Sequence, residues 1–275
     1  IVVGNGTNDF DLKWYGNIAT AYLQIDASAD EIRLFGPMRP TGFRTCLSKR
    51  YELEWTAGKR GKPGLNADIL DATEATRMIA DPDFELLGLN AVSSTSAFYA
   101  EAGIVLTTTT GATDSVILLP HLDASQTAWK QVTWGTDQET EWECQIGTDA
   151  TITNEVIWAG LKLTNTDVTA TDADQVFFRF APAVNAGKWQ AVSSIGGTDT
   201  ETDATVAVAA STNYHLKITI DSARLARFYI DGVLKATTTA LTTATDLIPY
   251  IGVLNSSAAA HAVRVYGQSI SRKFA

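Results

Sequence analysis

Three glutamates in residues 138–146, QETEWECQI, have a spacing that could support glycoside hydrolysis. Glu139, Glu141 and Glu143 occupy every second position, and Trp142, Cys144 and Ile146 alternate with them. Because successive side chains of a β-strand point to opposite faces, a strand here would carry the carboxylates on one side. Retaining glycosidases use two carboxyl groups about 5 Å apart, one as nucleophile and one as acid. The stretch therefore fits a catalytic strand, the solvated face of a half-buried strand, or an ion-paired contact surface.

No second catalytic or metal-binding pattern accompanies these glutamates. The chain has no Gly-x-Ser-x-Gly motif, and its three histidines are scattered. Cys46 and Cys144 lack the Cys-x-x-Cys spacing and are predicted to be free, buried thiols. We therefore predict no metal and no cofactor. A calcium site in the acidic loops stays open as an alternative, because calcium binds several carboxylate oxygens; the candidate ligands are Asp137, Asp149, Asp172 and Asp174.

Composition indicates a folded, acidic protein. Of its 275 residues, 45% are hydrophobic and 19% are charged, which is enough to bury a sizeable core. A formal net charge of −10 argues against nucleic acid and against an anionic membrane surface as partners, because both require a basic surface. We find no apolar run of about 18 residues and no signal-peptide pattern, so neither a transmembrane helix nor a signal peptide is predicted.

Strand patterns dominate from residue 84 onward. Short runs of β-branched and aromatic residues are bounded by Gly, Asp, Asn, Thr and Pro, as in "VFFRFAP", "YHLKITID" and "RFYIDGVLKAT". This spacing is typical of a β-sandwich or barrel. We therefore predict a mainly β protein in which residues 84–275 form a sandwich.

The N-terminal part has a different character. Residues 1–65 contain three strand candidates and are too few to bury much apolar area alone, so their aromatic residues need a partner surface. The predicted docking or oligomer-interface residues are Trp14, Tyr15, Tyr22 and Phe35. Residues 66–83 are predicted to form a connector with one short helix, since residues 66–82 begin with a capping residue and end at Pro82.

The C-terminal strands resemble those of concanavalin A-like, or laminin G-like, jelly-roll domains. The resemblance rests on residues 218–221, on the Phe-Tyr-Ile-Asp-Gly stretch of residues 228–232, and on residues 250–252. It implies a jelly-roll sandwich, and the Asp231-Gly232 pair independently predicts a hairpin turn. The same fold is found in laminarinase-like glycosidases, whose catalytic strand reads Glu-x-Asp-x-Glu, with one further residue before the last glutamate in some of them. Here Glu141 replaces the central aspartate, which weakens the match.

A second resemblance covers almost the whole chain and concerns structural proteins of tailed-phage particles. The matching residues are Trp14-Tyr15-Gly16, Tyr22-Leu23, Asp26 and Ser28-Ala29-Asp30, which are similar to a repeat that precedes a jelly roll in those proteins. The resemblance implies a capsid decoration, or cement, protein on the surface of the phage head. Its implied partners are the major capsid protein and other copies of the chain, as a homotrimer by analogy.

We therefore predict a virion structural protein that is not an enzyme. One alternative is a carbohydrate-binding module that contacts host-surface glycans, with Trp189 as the candidate stacking residue because it lies in the loop-like "NAGKWQ". The other alternative is a laminarinase-like glycosidase that uses the glutamates of residues 138–146. The fold alone cannot decide among the three functions.

Overall fold

The structure is a computed structural model that describes ten ranges of the chain: residues 12–15, 22–26, 31–35, 50–55, 78–81, 84–91, 96–98, 103–120, 132–164 and 172–273. The chain divides into two compact units, Ile1–Cys46 and Leu47–Ala275. In the described ranges, no helix is long and apolar enough to cross a membrane.

The smaller unit contains a three-stranded antiparallel sheet. Its strands are β1 (Leu12–Tyr15), β2 (Tyr22–Asp26) and β3 (Glu31–Phe35), in the order β1-β2-β3. The register pairs Tyr15 with Tyr22 and Tyr22 with Phe35. Three of the four predicted docking residues thus lie in one row across the sheet, and Trp14 is the neighbour of Tyr15 on β1.

The larger unit consists of two antiparallel sheets. Sheet I has the order β17-β16-β15-β10-β19-β8-β7, and β4 also pairs with β19. Its strands are β4 (Arg50–Trp55), β7 (Ser96–Phe98), β8 (Ile104–Thr107), β10 (Glu141–Gly147), β15 (Asn213–Ile220), β16 (Leu225–Ile230), β17 (Val233–Ala240) and β19 (Ala262–Lys273). Sheet II has the order β14-β13-β12-β11-β18-β9-β6-β5. Its strands are β5 (Met78–Asp81), β6 (Phe84–Leu87), β9 (Ser115–Pro120), β11 (Glu155–Lys162), β12 (Gln175–Phe180), β13 (Lys188–Ile195), β14 (Thr198–Ala207) and β18 (Ile248–Asn255).

The two sheets pack face to face around one large apolar core. Phe178 of sheet II meets Phe228 of sheet I edge to face, with ring centroids 5.1 Å apart. Strands β15 and β16 bury every second residue, as expected when one face of a strand covers a core. At the β16–β17 turn, Asp231 and Gly232 both have positive φ, which is the backbone geometry of a two-residue hairpin. The predicted jelly-roll sandwich and its hairpin are confirmed.

Two sequence-based predictions differ from the structure. The helix predicted over residues 66–82 falls mostly outside the described residues. Its last part, Met78–Asp81, is strand β5 and pairs with β6. Pairing with a neighbouring strand therefore overrides the local helical pattern there. The predicted arm, residues 1–65, included the segment of β4. Arg50–Trp55 instead hydrogen-bonds to β19 in sheet I, and the smaller unit ends at Cys46.

Candidate functional site

The glutamates of residues 138–146 lie on the outer side of sheet I. Strand β10 begins at Glu141, and Glu139 belongs to the preceding turn with a φ of 47°, so only two of the three glutamates are on the strand. Trp142, Cys144 and Ile146 are buried in the core. The alternation predicted from the sequence is therefore confirmed for β10, and the carboxylates point away from the core.

Ion pairs hold the carboxylates of β10. The Lys217 ammonium lies 3.0 Å from Oε2 of Glu141 and 3.9 Å from Oε2 of Glu143. His215 Nε2 lies 3.5 Å from the same oxygen of Glu143. The lysine thus occupies the space between two carboxylates into which a glycosidic oxygen would have to fit. This geometry is that of a solvated, ion-paired strand face rather than of a hydrolytic centre.

Trp189, the predicted glycan contact, is part of the core. Its side chain is 0% exposed and packs edge to face against Tyr214, with ring centroids 5.6 Å apart. It also lies against Phe178 and Phe180. The residue is the second of β13 rather than part of a loop. Because a sugar stacks on an exposed ring face, the prediction for Trp189 is wrong.

The predicted docking residues Trp14, Tyr15, Tyr22 and Phe35 lie on β1, β2 and β3. Their side chains are outside the described residues, so their role in docking stays a prediction. The four aspartates of the calcium alternative accept hydrogen bonds from the protein: Asp137 and Asp174 both accept from residues 242–244, whereas Asp172 accepts from Thr164 and Asp149 from Ala262. Among the described residues, no three His, Cys, Asp or Glu side chains are arranged to hold a metal ion.

A second apolar cluster lies on sheet II, separate from the core between the sheets. On each of five strands it uses residues that alternate with the core residues, and its members are Ile117, Leu119, Trp158, Phe177, Val192 and Tyr250. We call this side the outer face of sheet II. Register places Val192, Phe177, Gly160 and Tyr250 in line across four neighbouring strands, a set we call the aromatic row.

Gly160 is required at its place in the aromatic row. It pairs with both Phe177 and Tyr250, whose ring centroids are 6.1 Å apart. A Cβ atom on Gly160 would lie 2.5 Å from the Phe177 Cα and would also collide with the carbonyl oxygen of Val176. The glycine therefore allows the two aromatic residues to flank it while the strands stay paired.

A second row crosses the same face two residues further along the strands. It joins Lys162, Gln175, Ser194 and Asp199 by register, and we call it the polar row. Lys162 is fully buried, its ammonium 4.0 Å from Oδ2 of Asp172 and 5.5 Å from the centre of the Tyr250 ring. The Ser194 hydroxyl donates to Asp199 at 2.6 Å. The row thus runs from a buried lysine to an exposed aspartate on the edge strand β14.

On the other side of the aromatic row, Arg179, Gln190 and Glu201 form a closed network. The Arg179 Nη2 atom lies 2.5 Å from Glu201, and Arg179 Nε donates to Gln190 Oε1 at 2.9 Å. The amide of Gln190 donates in turn to Glu201 at 3.0 Å. The aromatic row is therefore flanked by hydrogen-bonding side chains on both sides.

Two groups on this face are buried without a hydrogen-bond partner. Neither Nε2 nor Oε1 of Gln175 has one, and the hydroxyl of Tyr250 has none. Burial raises the pKa of Tyr250 well above its usual value, so this hydroxyl keeps its proton. Buried polar groups are almost always satisfied by protein, water or ligand, and unpaired ones mark a candidate site. The sequence pattern did not single out these residues; the available signal was Lys162 at an alternate position of the apolar "VIWAGLKL".

No family model and no curated protein matches the chain. Solved structures do match. A protein of unknown function from Shewanella oneidensis MR-1 aligns with a TM-score of 0.56 and 13% identity, over 86% of this chain and 95% of that chain. Alginate lyase A1-II′, of polysaccharide lyase family 7, has a TM-score of 0.48 and 14% identity, over 67% of this chain and 86% of its own. The β-glucanase of Bacillus licheniformis has a TM-score of 0.47 and 11% identity, over 69% of this chain and 92% of its own.

The match at a TM-score of 0.56 supports the two-sheet sandwich fold seen in the structure. The comparisons also correct one prediction. We predicted that the chain is not an enzyme, but the solved structures that share its fold include a lyase and a glucanase. The prediction is wrong, because the absence of enzymatic activity does not follow from this sandwich.

Proposed function

We propose that the chain binds carbohydrate through the outer face of sheet II. The observation that carries this proposal is the partly exposed network of Arg179, Gln190 and Glu201, which lies beside the aromatic row at the β14 edge of this face. A sugar ring has an apolar face of C–H groups and an edge of hydroxyls. The network can hydrogen-bond to the hydroxyl edge, whereas the rings of the aromatic row are buried, at 0–2% exposure, and are not a stacking surface.

Glu201→Gln tests the proposal at an exposed position of the edge strand β14, where it removes the charge of one acceptor and keeps the shape of the side chain. The affinity for the glycan that binds best in a glycan array should fall about five- to tenfold, the value of one hydrogen bond of about 1 to 1.5 kcal/mol. Calorimetry measures the affinity. Mass spectrometry of the incubated oligosaccharide shows whether binding is followed by cleavage.

The matched control is Glu143→Gln, which makes the same change on strand β10 of sheet I and should leave glycan affinity unchanged. The proposal fails if no glycan binds, or if both variants lower the affinity equally.

The second candidate function is attachment to a phage head. Residues 1–46 would then bind the head surface, and the sandwich would be presented to the solvent. Its support is the sequence resemblance together with the register of the small sheet. The sheet has four rows across its strands. Two are aliphatic or contain tryptophan (Leu12, Ile25 and Ile32; Trp14, Leu23 and Leu34), and between and beside them lie a Lys-Gln-Arg row and the row of Tyr15, Tyr22 and Phe35. So small a sheet with this many apolar and aromatic residues needs a partner surface. The proposed partners are the major capsid protein and, in a trimer, further copies of the chain.

Attachment is tested by cosedimentation with emptied phage heads. The full chain should pellet with the heads and behave as a trimer in light scattering, whereas residues 47–275 alone should stay in the supernatant. A thermal melt of the shorter chain verifies that its sandwich is folded. Attachment through residues 1–46 is refuted if the folded shorter chain still pellets with the heads.

A further inference from the structure

We infer that the carbohydrate bound at the outer face of sheet II is a chain of several sugar units that lies along the edge strand β14. The inference rests on the proposed carbohydrate binding and names the ligand class of the same site. It is supported by three exposed carboxylates of β14, each of which belongs to a separate hydrogen-bonding group.

The three carboxylates belong to Asp199, Glu201 and Asp203, which occupy alternate positions of β14 and therefore share one side of the strand. That side is the outer face, because Glu201 pairs in register with Val192 of the second apolar cluster. Alternate residues of an antiparallel strand are about 6.8 Å apart, so the three positions extend over about 14 Å. A single sugar ring is shorter than this distance and cannot contact all three groups.

These carboxylates are accessible from solvent, unlike the rings of the aromatic row. The side chains of Glu201 and Asp203 are 40% and 38% exposed. Both lie on the first strand in the order of sheet II, which pairs on one side only within the described part of the chain. A ligand can therefore reach them without displacing any core residue.

Taken together, the three groups combine carboxylate acceptors with cationic and amide donors. At one end the Ser194 hydroxyl donates to Asp199 at 2.6 Å. At the other end Lys188 Nζ and Asn185 Nδ2 donate to Asp203 at 2.9 and 3.0 Å. The network already described lies between them. Because a sugar hydroxyl both donates and accepts, and a carboxylate can accept about four hydrogen bonds, hydroxyls of successive sugar units can bind along the strand.

The group around Asp203 is held in place by the turn that precedes β13. Asn185, Ala186 and Gly187 have successive φ values of 51°, 52° and 71°, in the left-handed region. This turn brings the Asn185 amide within 3.0 Å of Asp203 and 3.4 Å of the carbonyl oxygen of Trp189. Because Trp189 is buried in the core, the group is fixed relative to the sheet and loses little conformational freedom when a ligand binds.

The test is calorimetry with the full chain and four series of linear oligosaccharides, namely cello-, laminari-, malto- and manno-oligosaccharides of one to six sugar units. In at least one series the affinity should rise about tenfold or more from the disaccharide to the hexasaccharide, because added units reach further groups. Asp203→Asn removes the charge at one end of the row of carboxylates. It should weaken the hexasaccharide about fivefold, the value of one hydrogen bond, and change the disaccharide less than about twofold, because a disaccharide can bind at the other two groups.

The matched control is Asp221→Asn. Asp221 resembles Asp203 in being ion-paired and in accepting a backbone N–H, but it lies in the turn between β15 and β16 of sheet I. This control should leave the affinity for every oligosaccharide unchanged. Lys188→Gln, a second change in the group around Asp203, should reproduce the loss that depends on chain length. Thermal melts verify that each variant is folded.

The outcomes separate the inference from the proposed function. If the disaccharide binds as tightly as the hexasaccharide in every series that binds, the inference is overturned and carbohydrate binding stands. The same holds if folded Asp203→Asn and Lys188→Gln variants keep full affinity for the hexasaccharide, or lose as much affinity for the disaccharide. If no oligosaccharide binds at millimolar concentration, both the inference and the proposed function fail.

Discussion

Glu155, the first residue of β11, should make the stability of the sandwich depend on pH in a direction opposite to that of most carboxylates. Its side chain is 0% exposed, and neither carboxylate oxygen accepts a hydrogen bond of normal geometry, although the backbone N–H of Asp149 lies close enough to interact with it. Burial, with the nearby charge of Asp149 as a second cause, raises its pKa from 4.5 to about 8, and the backbone N–H of Asp149 opposes this to a smaller extent. At neutral pH the folded protein therefore holds a proton on Glu155 that the unfolded chain has released.

The sign and the size follow from proton linkage. Between pH 4.5 and about pH 8 the folded state binds one more proton at Glu155 than the unfolded state does, so stability falls as the pH rises through this window. Above about pH 8 the loss is complete. A pKa difference of this size corresponds to about 5 kcal/mol.

Glu155→Gln removes the titration and keeps the shape of the side chain. Relative to wild type, the variant should gain about 4 to 5 kcal/mol between pH 4.5 and pH 9. Urea unfolding followed by tryptophan fluorescence, at steps across this range, measures the difference. Glu141→Gln, at a partly exposed and ion-paired position of sheet I, is the control and should show no such trend. The reasoning is refuted if the free energies of unfolding of wild type and Glu155→Gln stay parallel within about 1 kcal/mol.

Two further predictions concern packing. Gly160→Ala should lower the free energy of unfolding by about 2 kcal/mol or more, because the added methyl collides with the backbone of Val176 and Phe177. Urea unfolding measures this difference. An unchanged urea midpoint would contradict the close contact between the strands. Cys144 is buried, and burial raises the pKa of its thiol well above the usual value. Iodoacetamide at about pH 8 should therefore not label Cys144 until urea unfolds the chain. Peptide mass spectrometry measures the labelling, and rapid modification of the native protein would contradict the burial of this thiol.

Much of the sandwich could be predicted because strand alternation is local. The period of two in β10, β15 and β16 is visible in the sequence and matches the buried positions of those strands. The Asp231-Gly232 hairpin could be predicted for the same reason, since its geometry depends on two adjacent residues. The prediction failed for Met78–Asp81, where pairing with β6 makes a strand of a segment whose local pattern is helical.

The candidate site could not be predicted, because it depends on which strands become neighbours. Lys162, Gln175 and Tyr250 lie on three strands, and only the order β12-β11-β18 brings them together. Alternation also shows which residues share a face without showing which face packs on the other sheet. That choice buries Trp189 in the core and places Trp158 on the outer face of sheet II. The sequence by itself determined the strands and their two-sided character. The tertiary structure decided which sides meet, because strand pairing and sheet packing join residues that are distant along the chain.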